Sequence, residues 1–301
     1  MKGERCKMKF LILPDVHEKV SWKASIEKYF DTVDQVYFVG DYFDSHGDSD
    51  VVGEEAVNNF NEIVALKRQH PNKVHMGFGN HDAHYLFYLG ACSNYQDQYA
   101  RIFREAIINA ADCFEMVCKL PNVSWNGKPV YVSHAGVSKI WYERMCNSVF
   151  GSLQLADKDL TEEAKINLVF SFFMQLQKRR LAEEITAEEE ALTATAAALF
   201  DFPDDCFNRY GDSVVCPPTW IRPNALFNSA LFENQIVGHT SIAENGPAFL
   251  RVAIEGADYI SVAFIDNPAH DNVLILDSEV APNWQDLVAE KNEYPENEEE
   301  K

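Results

Sequence analysis

Apolar residues change their period along the first third of the chain. Met8-Lys9-Phe10-Leu11-Ile12-Leu13 is a short apolar run that predicts a buried strand, whereas the apolar positions of 19–30 recur at helical spacing. The alternation then repeats. Gln35-Val36-Tyr37-Phe38-Val39 predicts a strand, 54–70 a helix, and Lys73-Val74-His75-Met76-Gly77-Phe78 a third strand. A β-α-β-α-β order favours a largely parallel sheet, and it puts function in the loops that leave the carboxyl ends of the strands.

Farther on, 97–118 reads as a long helical stretch and Pro129-Val130-Tyr131-Val132 as another strand. Helical signals dominate 155–199, with Phe170, Phe172, Phe173, Leu176 and Leu181 on one side and Lys178-Arg179-Arg180 and Glu188-Glu189-Glu190 on the other. That stretch reads as an inserted helical cap, about 150–219, within a single domain of 1–285. Strand signals return at 235–237, 248–253, 259–265 and 272–276. The glutamate-rich 286–301 has no apolar face to bury and reads as a disordered tail.

With 301 residues and 47% hydrophobic content the chain can build a sizeable core, which excludes disorder throughout. Asp and Glu number 47 against 26 Lys and Arg, a formal net charge of -21. Such a surface repels a long nucleic acid. A small phosphorylated substrate is not excluded, because bound cations can reverse the sign of a site locally. The first apolar run is broken by Pro14 and Asp15, and no uncharged stretch approaches the roughly 20 residues that span a bilayer, so neither a signal peptide nor a membrane is expected. The seven cysteines are odd in number and form no C-x-x-C pair, so they read as reduced thiols of a cytoplasmic protein.

The candidate chemistry sits where the strands end. Successive strand ends carry Pro14-Asp15-Val16-His17, Gly40-Asp41-Tyr42-Phe43-Asp44, Gly79-Asn80-His81-Asp82, Ser133-His134-Ala135-Gly136 and Gly238-His239-Thr240. Each piece alone is ordinary turn chemistry. Five together, offering carboxylate, imidazole and amide oxygen and no cysteine, suit divalent ions such as Mn²⁺, Fe²⁺ or Zn²⁺.

In this order the motifs D-x-H, G-D-x-x-D, G-N-H-D, H and G-H resemble those of the calcineurin-like metallophosphoesterases, most of all the phosphoprotein-phosphatase branch with its compact bacterial and phage members. The resemblance implies an α/β fold, a β-sandwich flanked by helices in four layers. It also implies two divalent metal ions, Mn²⁺ first with Fe or Zn as alternatives. Asp15, His17 and Asp41 would hold one ion, and Asp41, Asn80, His134 and His239 the other, with a bridging hydroxide as nucleophile. His81 would be the general acid, paired with Asp44, and Arg222 in Trp220-Ile221-Arg222-Pro223 would bind phosphate. The implied activity is hydrolysis of a phosphate monoester, on a phosphoprotein or a small phosphorylated molecule. Alternatives are a phosphodiester or dinucleoside polyphosphate as substrate, and a non-catalytic scaffold.

Three positions depart from the branch pattern. Ser45 and Phe78 stand where it usually carries arginine, and Thr240-Ser241 follow His239 where many relatives have a further histidine. His46 is a partial cation that could replace the first missing arginine, with an exposed loop residue as the plain alternative. Asp82 could be a carboxylate that only caps its turn. His84 reads as packing or pocket lining, and Lys178-Arg179-Arg180 as a solvated face or a docking patch.

Overall fold

Alternate residues of β1 (Lys9–Leu13) belong to different cores: Leu11 and Leu13 face one, Phe10 and Ile12 the other. In this computed structural model, residues 7–45, 49–87, 92–150, 159–200, 204–241, 247–254, 259–266, 273–280 and 282–287 are described. After β1 come α1 (Trp22–Tyr29), β2 (Gln35–Phe38), α2 (Glu54–Gln69), β3 (Val74–Met76), α3 (Asn80–Phe87), α4 (Ala100–Asn109), β4 (Val117–Trp125) and β5 (Lys128–Ser133). Then follow α5 (Lys139–Met145), α6 (Glu162–Leu181), α7 (Ala187–Phe200), α8 (Asp204–Asn208), α9 (Pro223–Ser229) and β6 (Asn234–Val237). The last elements are β7 (Ala248–Ala253), β8 (Tyr259–Phe264), β9 (Leu274–Asp277) and β10 (Gln285–Leu287).

Two sheets stack. One has the order β3-β2-β1-β9, with β1, β2 and β3 parallel and β9 antiparallel at the edge. The other has the order β10-β7-β8-β6-β5-β4, in which β5, β6 and β8 run parallel. Phe10, Ile12, Tyr37 and Leu276 from the first sheet meet Leu120, Val130, Val132 and Ile236 from the second in the core between them. The outer face of the first sheet is covered by α2, α4 and α6 through Phe60, Ile63, Phe103, Ile107, Phe170 and Phe173. Leu226 of α9 covers the outer face of the second sheet beside Val262 and Phe264. This is the four-layer α/β sandwich that the resemblance implies.

The helical stretch expected over 97–118 is shorter. After a 3-10 turn at Asp97–Tyr99, α4 ends at Asn109, and the chain from Val117 is strand. Tertiary pairing overrides local propensity here: the Glu115 amide donates to the Met76 carbonyl at 2.8 Å, and β4 then pairs antiparallel with β5. In α6, Phe170, Phe173 and Leu176 are buried as the apolar spacing predicts, but Phe172 is half-buried and Leu181, in the last turn, is exposed. The basic run at the end of α6 pairs with α7, Arg179 with Glu189 and Arg180 with Glu190. β10 runs two residues into the segment expected to be a tail; 288–301 lies outside the described residues, as does His46.

The reading of all cysteines as reduced thiols is overturned by one pair. Cys206 and Cys216 form a disulfide, with Cα atoms 5.5 Å apart across ten positions of sequence. A search for C-x-x-C spacing cannot see it, because a chain reversal and not local spacing brings the two together. Among the described residues no helix is long and apolar enough to cross a membrane.

Candidate metal centre

Parallel β1, β2 and β3 release their loops at one rim of the sandwich, and the ends of β5 and β6 meet them there. The loops interlock through the backbone: the amides of Val16 and His17 both donate to the Asp41 carbonyl, at 3.1 and 2.7 Å. Left-handed backbone gathers at this rim, with φ of 44° at His17, 51° at Asp41, 62° at Asp44 and 58° at His239. Non-glycine residues adopt this conformation at a cost, and such strain persists where the surroundings over-determine it. Two glycines let the carboxylates approach the chain. A Cβ at Gly79 would overlap Asp41 Oδ1, and one at Gly238 would overlap Asp15 Oδ1.

Asp15, His17 and Asp41 offer ligand atoms within 4.8 Å of one another, and so do Asp41, His134 and His239. Asp41 is common to both sets. Its Oδ1 accepts the His81 amide at 2.8 Å, while its Oδ2 lies 3.8 Å from His17 Nε2 and 3.4 Å from His134 Nε2. All of these residues are buried except the partly exposed His239.

The tautomers are set from behind. His17 Nδ1 faces the Phe43 carbonyl at 3.1 Å and His134 Nδ1 faces the Val39 carbonyl at 3.1 Å. A carbonyl can only accept, so each Nδ1 carries the proton and each Nε2 presents a lone pair to the site. One terminal atom of the Asn80 amide lies 3.0 Å from His134 Nε2, 2.9 Å from His239 Nδ1 and 3.3 Å from Asp41 Oδ2. In the protein alone the amide nitrogen can serve these acceptors; with its oxygen turned inward, Asn80 would offer a ligand atom to a cation held with Asp41, His134 and His239.

Electrostatics give the same answer. Burial, with the charge of Asp266 second, pushes the Asp15 carboxyl well above its ordinary range, and burial followed by Asp15 and Asp82 does the same to Asp41. Burial lowers the His134 imidazole to about 3 and holds His239 well below its ordinary value. Asp15 Oδ1 and His239 Nε2 are buried and accept no hydrogen bond among the described residues. A cation between them would favour the ionised carboxylates that burial opposes, and the neutral imidazole that burial favours is the form that ligates one. Asp15, His17, Asp41, Asn80, His134 and His239 therefore fit divalent cations, by donor type and by the unpartnered Asp15 Oδ1 and His239 Nε2 among them.

Beside this cluster, His81 Nδ1 lies 3.1 Å from Asp44 Oδ2. Asp44 also receives the Tyr85 hydroxyl, lies 2.5 Å from His84 Nε2, and accepts from Gln96 at 3.4 Å. Burial alone would raise the Asp44 carboxyl, but the bonds from His81 and His84 outweigh it and keep it below its ordinary value. Because the Cys92 amide donates to His84 Nδ1 at 3.1 Å, Nδ1 is an acceptor and the ring proton belongs on Nε2. Asp82 does the turn-capping work read as its plain alternative: it accepts the amides of Gly79, Asp41 and Tyr42, each at 2.9 Å.

Arg222 reaches the same rim. Its guanidinium donates to the His239 carbonyl at 3.1 Å and to Thr240 Oγ1 at 3.0 Å. Thus Asp15, His17, Asp41, Asp44, Asn80, His81, His134, Arg222 and His239 lie at this one rim, whereas Lys178-Arg179-Arg180 ends α6 beside α7. The sequence reading missed the depth of the Asp44 network and Asp266. A helix starting at Asn80 puts His81, His84 and Tyr85 at i, i+3 and i+4, which is the signal for the first. For Asp266 the signal is an acidic residue closing an apolar strand, the pattern that flagged Asp15.

Among solved structures, the chain is similar to a point mutant of a cold-active protein tyrosine phosphatase, at 17% identity over 90% of this chain and 75% of that one, TM-score 0.45. It is similar also to a cold-active protein-tyrosine phosphatase of a psychrophilic Shewanella species, at 16% identity over 89% and 75%, TM-score 0.41. A serine/threonine phosphatase from Saccharomyces cerevisiae matches at 12% identity over 92% and 81%, TM-score 0.40. A search among curated proteins found no match. The family model for calcineurin-like phosphoesterases matches residues 8–174, more than half of the chain, and four of the five strand-end motifs fall inside that span. By that match the chain belongs to the calcineurin-like phosphoesterase family.

Proposed function

We propose that the protein hydrolyses phosphate monoesters with two divalent cations, Mn²⁺ first and Fe or Zn as alternatives. Asp15, His17 and Asp41 would hold one, and Asp41, Asn80, His134 and His239 the other. The observation that carries this reading is the convergence of the two ligand sets on Asp41 Oδ2, with the His81–Asp44 pair alongside. Divalent cations bound there supply positive charge for the phosphoryl oxygens and acidify water.

The chain's own groups do the rest. With Nδ1–H held by Asp44, a protonated His81 has Nε2–H to give to the leaving oxygen as the P–O bond breaks; water supplies the new oxygen on phosphorus, and solvent returns the proton. Asp44 fixes the ring and favours its charged form. Arg222 aims a planar donor pair at the phosphoryl oxygens, and its extra charge favours a dianionic monoester. The substrate is a phosphoprotein or a small phosphorylated molecule.

One observation favours a second reading. Ser45 and Phe78 add no cation, and Phe78 is buried in the core, so the singly charged phosphodiester or the bridged phosphates of a dinucleoside polyphosphate would meet the same site. Rates with p-nitrophenyl phosphate, bis-p-nitrophenyl phosphate and a dinucleoside tetraphosphate separate the two. Highest kcat/KM on the monoester with Mn²⁺ is expected. No turnover of the monoester would contradict the first reading, and no turnover of any of the three would favour a scaffold.

A further inference from the structure

We propose that the loop closed by the Cys206–Cys216 disulfide is a clamp that positions Arg222 for a phosphoryl group, with Asp212 as its positioning residue. The catalytic consequence rests on the function proposed above; the clamp itself rests on the contacts of the loop.

Arg222 occupies the N-cap of α9 in extended conformation, and its own side chain makes no capping bond. A helix start leaves amide donors that need acceptors. Pro223 removes one of them, and Asp212 comes in from the disulfide loop to serve the next turn: its Oδ1 accepts the Ala225 amide at 2.8 Å and its Oδ2 the Asn224 side chain at 3.1 Å. One residue earlier, the Gly211 carbonyl accepts the Arg222 amide at 3.0 Å. A Cβ at Gly211 would come within 2.5 Å of the Trp220 carbonyl oxygen and 3.0 Å of Arg222 Cγ, so the loop backbone lies directly on the arginine's stem. At its other end the guanidinium is fixed by the His239 carbonyl and Thr240.

Packing of the Tyr210 side chain is not what holds this arrangement. Tyr210 and Gly211 are consecutively left-handed, with φ of 51° and 88°, and the Tyr210 side chain is 82% exposed. The restraint comes from the base of the loop. Both cysteines are fully buried, the Gly211 amide donates to the Cys206 carbonyl at 2.9 Å, and the Ser138 hydroxyl donates to the Val214 carbonyl. Cutting the cross-link frees the segment that presents Gly211 and Asp212 to more conformations. A dithiol cuts it in a balanced exchange: the disulfide gains two electrons and two protons to become two thiols, and the dithiol closes to a cyclic disulfide.

The test uses the full chain, as wild type before and after dithiothreitol and as the Cys206→Ser/Cys216→Ser double variant. Amide hydrogen exchange at Arg222 and Ala225 should accelerate about tenfold or more on loss of the cross-link, while amides of β5 and β6 keep their rates. With Mn²⁺ and p-nitrophenyl phosphate, KM should rise about tenfold with kcat within about threefold, the pattern of lost binding. Asp212→Ala should reproduce both effects with the disulfide intact, and Asp212→Asn, which keeps one acceptor for Ala225, should restore most of them. Unchanged exchange at Arg222 and Ala225 in the double variant overturns the clamp. If the double variant unfolds, which the β5 and β6 amides would report, normal exchange and KM in Asp212→Ala overturn it. Should the wild type hydrolyse no phosphate ester, the functional reading fails while the exchange rates still decide the clamp.

Discussion

His81 Nδ1 and Asp44 Oδ2 face each other at 3.1 Å, with both side chains buried. A carboxylate behind an imidazole fixes the ring and leaves the opposite nitrogen to carry a proton outward. Replacing His81 by Asn removes that proton donor. Turnover of alkyl phosphates should fall about 10²-fold or more, and turnover of p-nitrophenyl phosphate, whose leaving group needs no proton, much less. Equal losses across a leaving-group series would contradict the assignment. Since the two residues act as a unit, adding Asp44→Asn to His81→Asn should cost little more.

Asp82 is a matter of stability and not of proton transfer. It satisfies three buried backbone donors, and Asp82→Ala strands all of them. At about 1–3 kcal/mol for each unsatisfied donor, unfolding free energy should drop by about 3 kcal/mol or more. Urea unfolding measures this, and a loss under about 1 kcal/mol would show that water replaces the carboxylate at little cost.

A pH-dependent contribution lies away from the rim. Burial would raise the Glu115 carboxyl, but the His75 imidazole at 2.8 Å and Lys67 at 3.5 Å outweigh it and hold Glu115 below its ordinary value. A depressed folded value adds stability above the unfolded carboxyl range, lost as pH falls through the folded value. Glu115→Gln should therefore lower the Tm at neutral pH, by an amount matching about 1 kcal/mol or less for a partly exposed pair, and the gap should close in acid. Equal Tm differences at pH 7 and below the carboxyl range would contradict this linkage.

Asp41 is shared by both ligand sets. Asp41→Asn should reduce tightly bound Mn²⁺ from two per chain to one or none, read by elemental analysis after desalting. Two ions retained would remove the bridge from the assignment.

The residues of the rim were legible in the sequence because parallel strands end at one side of a sheet, so strand-end motifs far apart in sequence must meet there. The motifs that carry Asp15, His17, Asp41, Asn80, His134 and His239 needed no more than that, while their sorting into two ligand sets comes from the family resemblance. What was illegible depends on contacts between segments. The chain from 110 to 118 reads as helix by its sequence, yet 110–113 is turn, Phe114 bridges to Met76, and strand begins at Val117 in pairing with β5. Cys206 and Cys216 meet through a reversal that spacing does not announce. Nor does composition show that His84 takes its tautomer from the Cys92 amide, a bond made across a loop.

The most direct measurement is a Mn²⁺ titration of metal-stripped protein, followed by bound-metal stoichiometry and p-nitrophenyl phosphate turnover in the same samples. Turnover should be absent without metal and should rise with the second equivalent, saturating near two ions per chain. Hydrolysis that survives metal removal, or a chain that holds two ions at Asp15, His17, Asp41, Asn80, His134 and His239 and hydrolyses nothing, would contradict a dinuclear phosphatase.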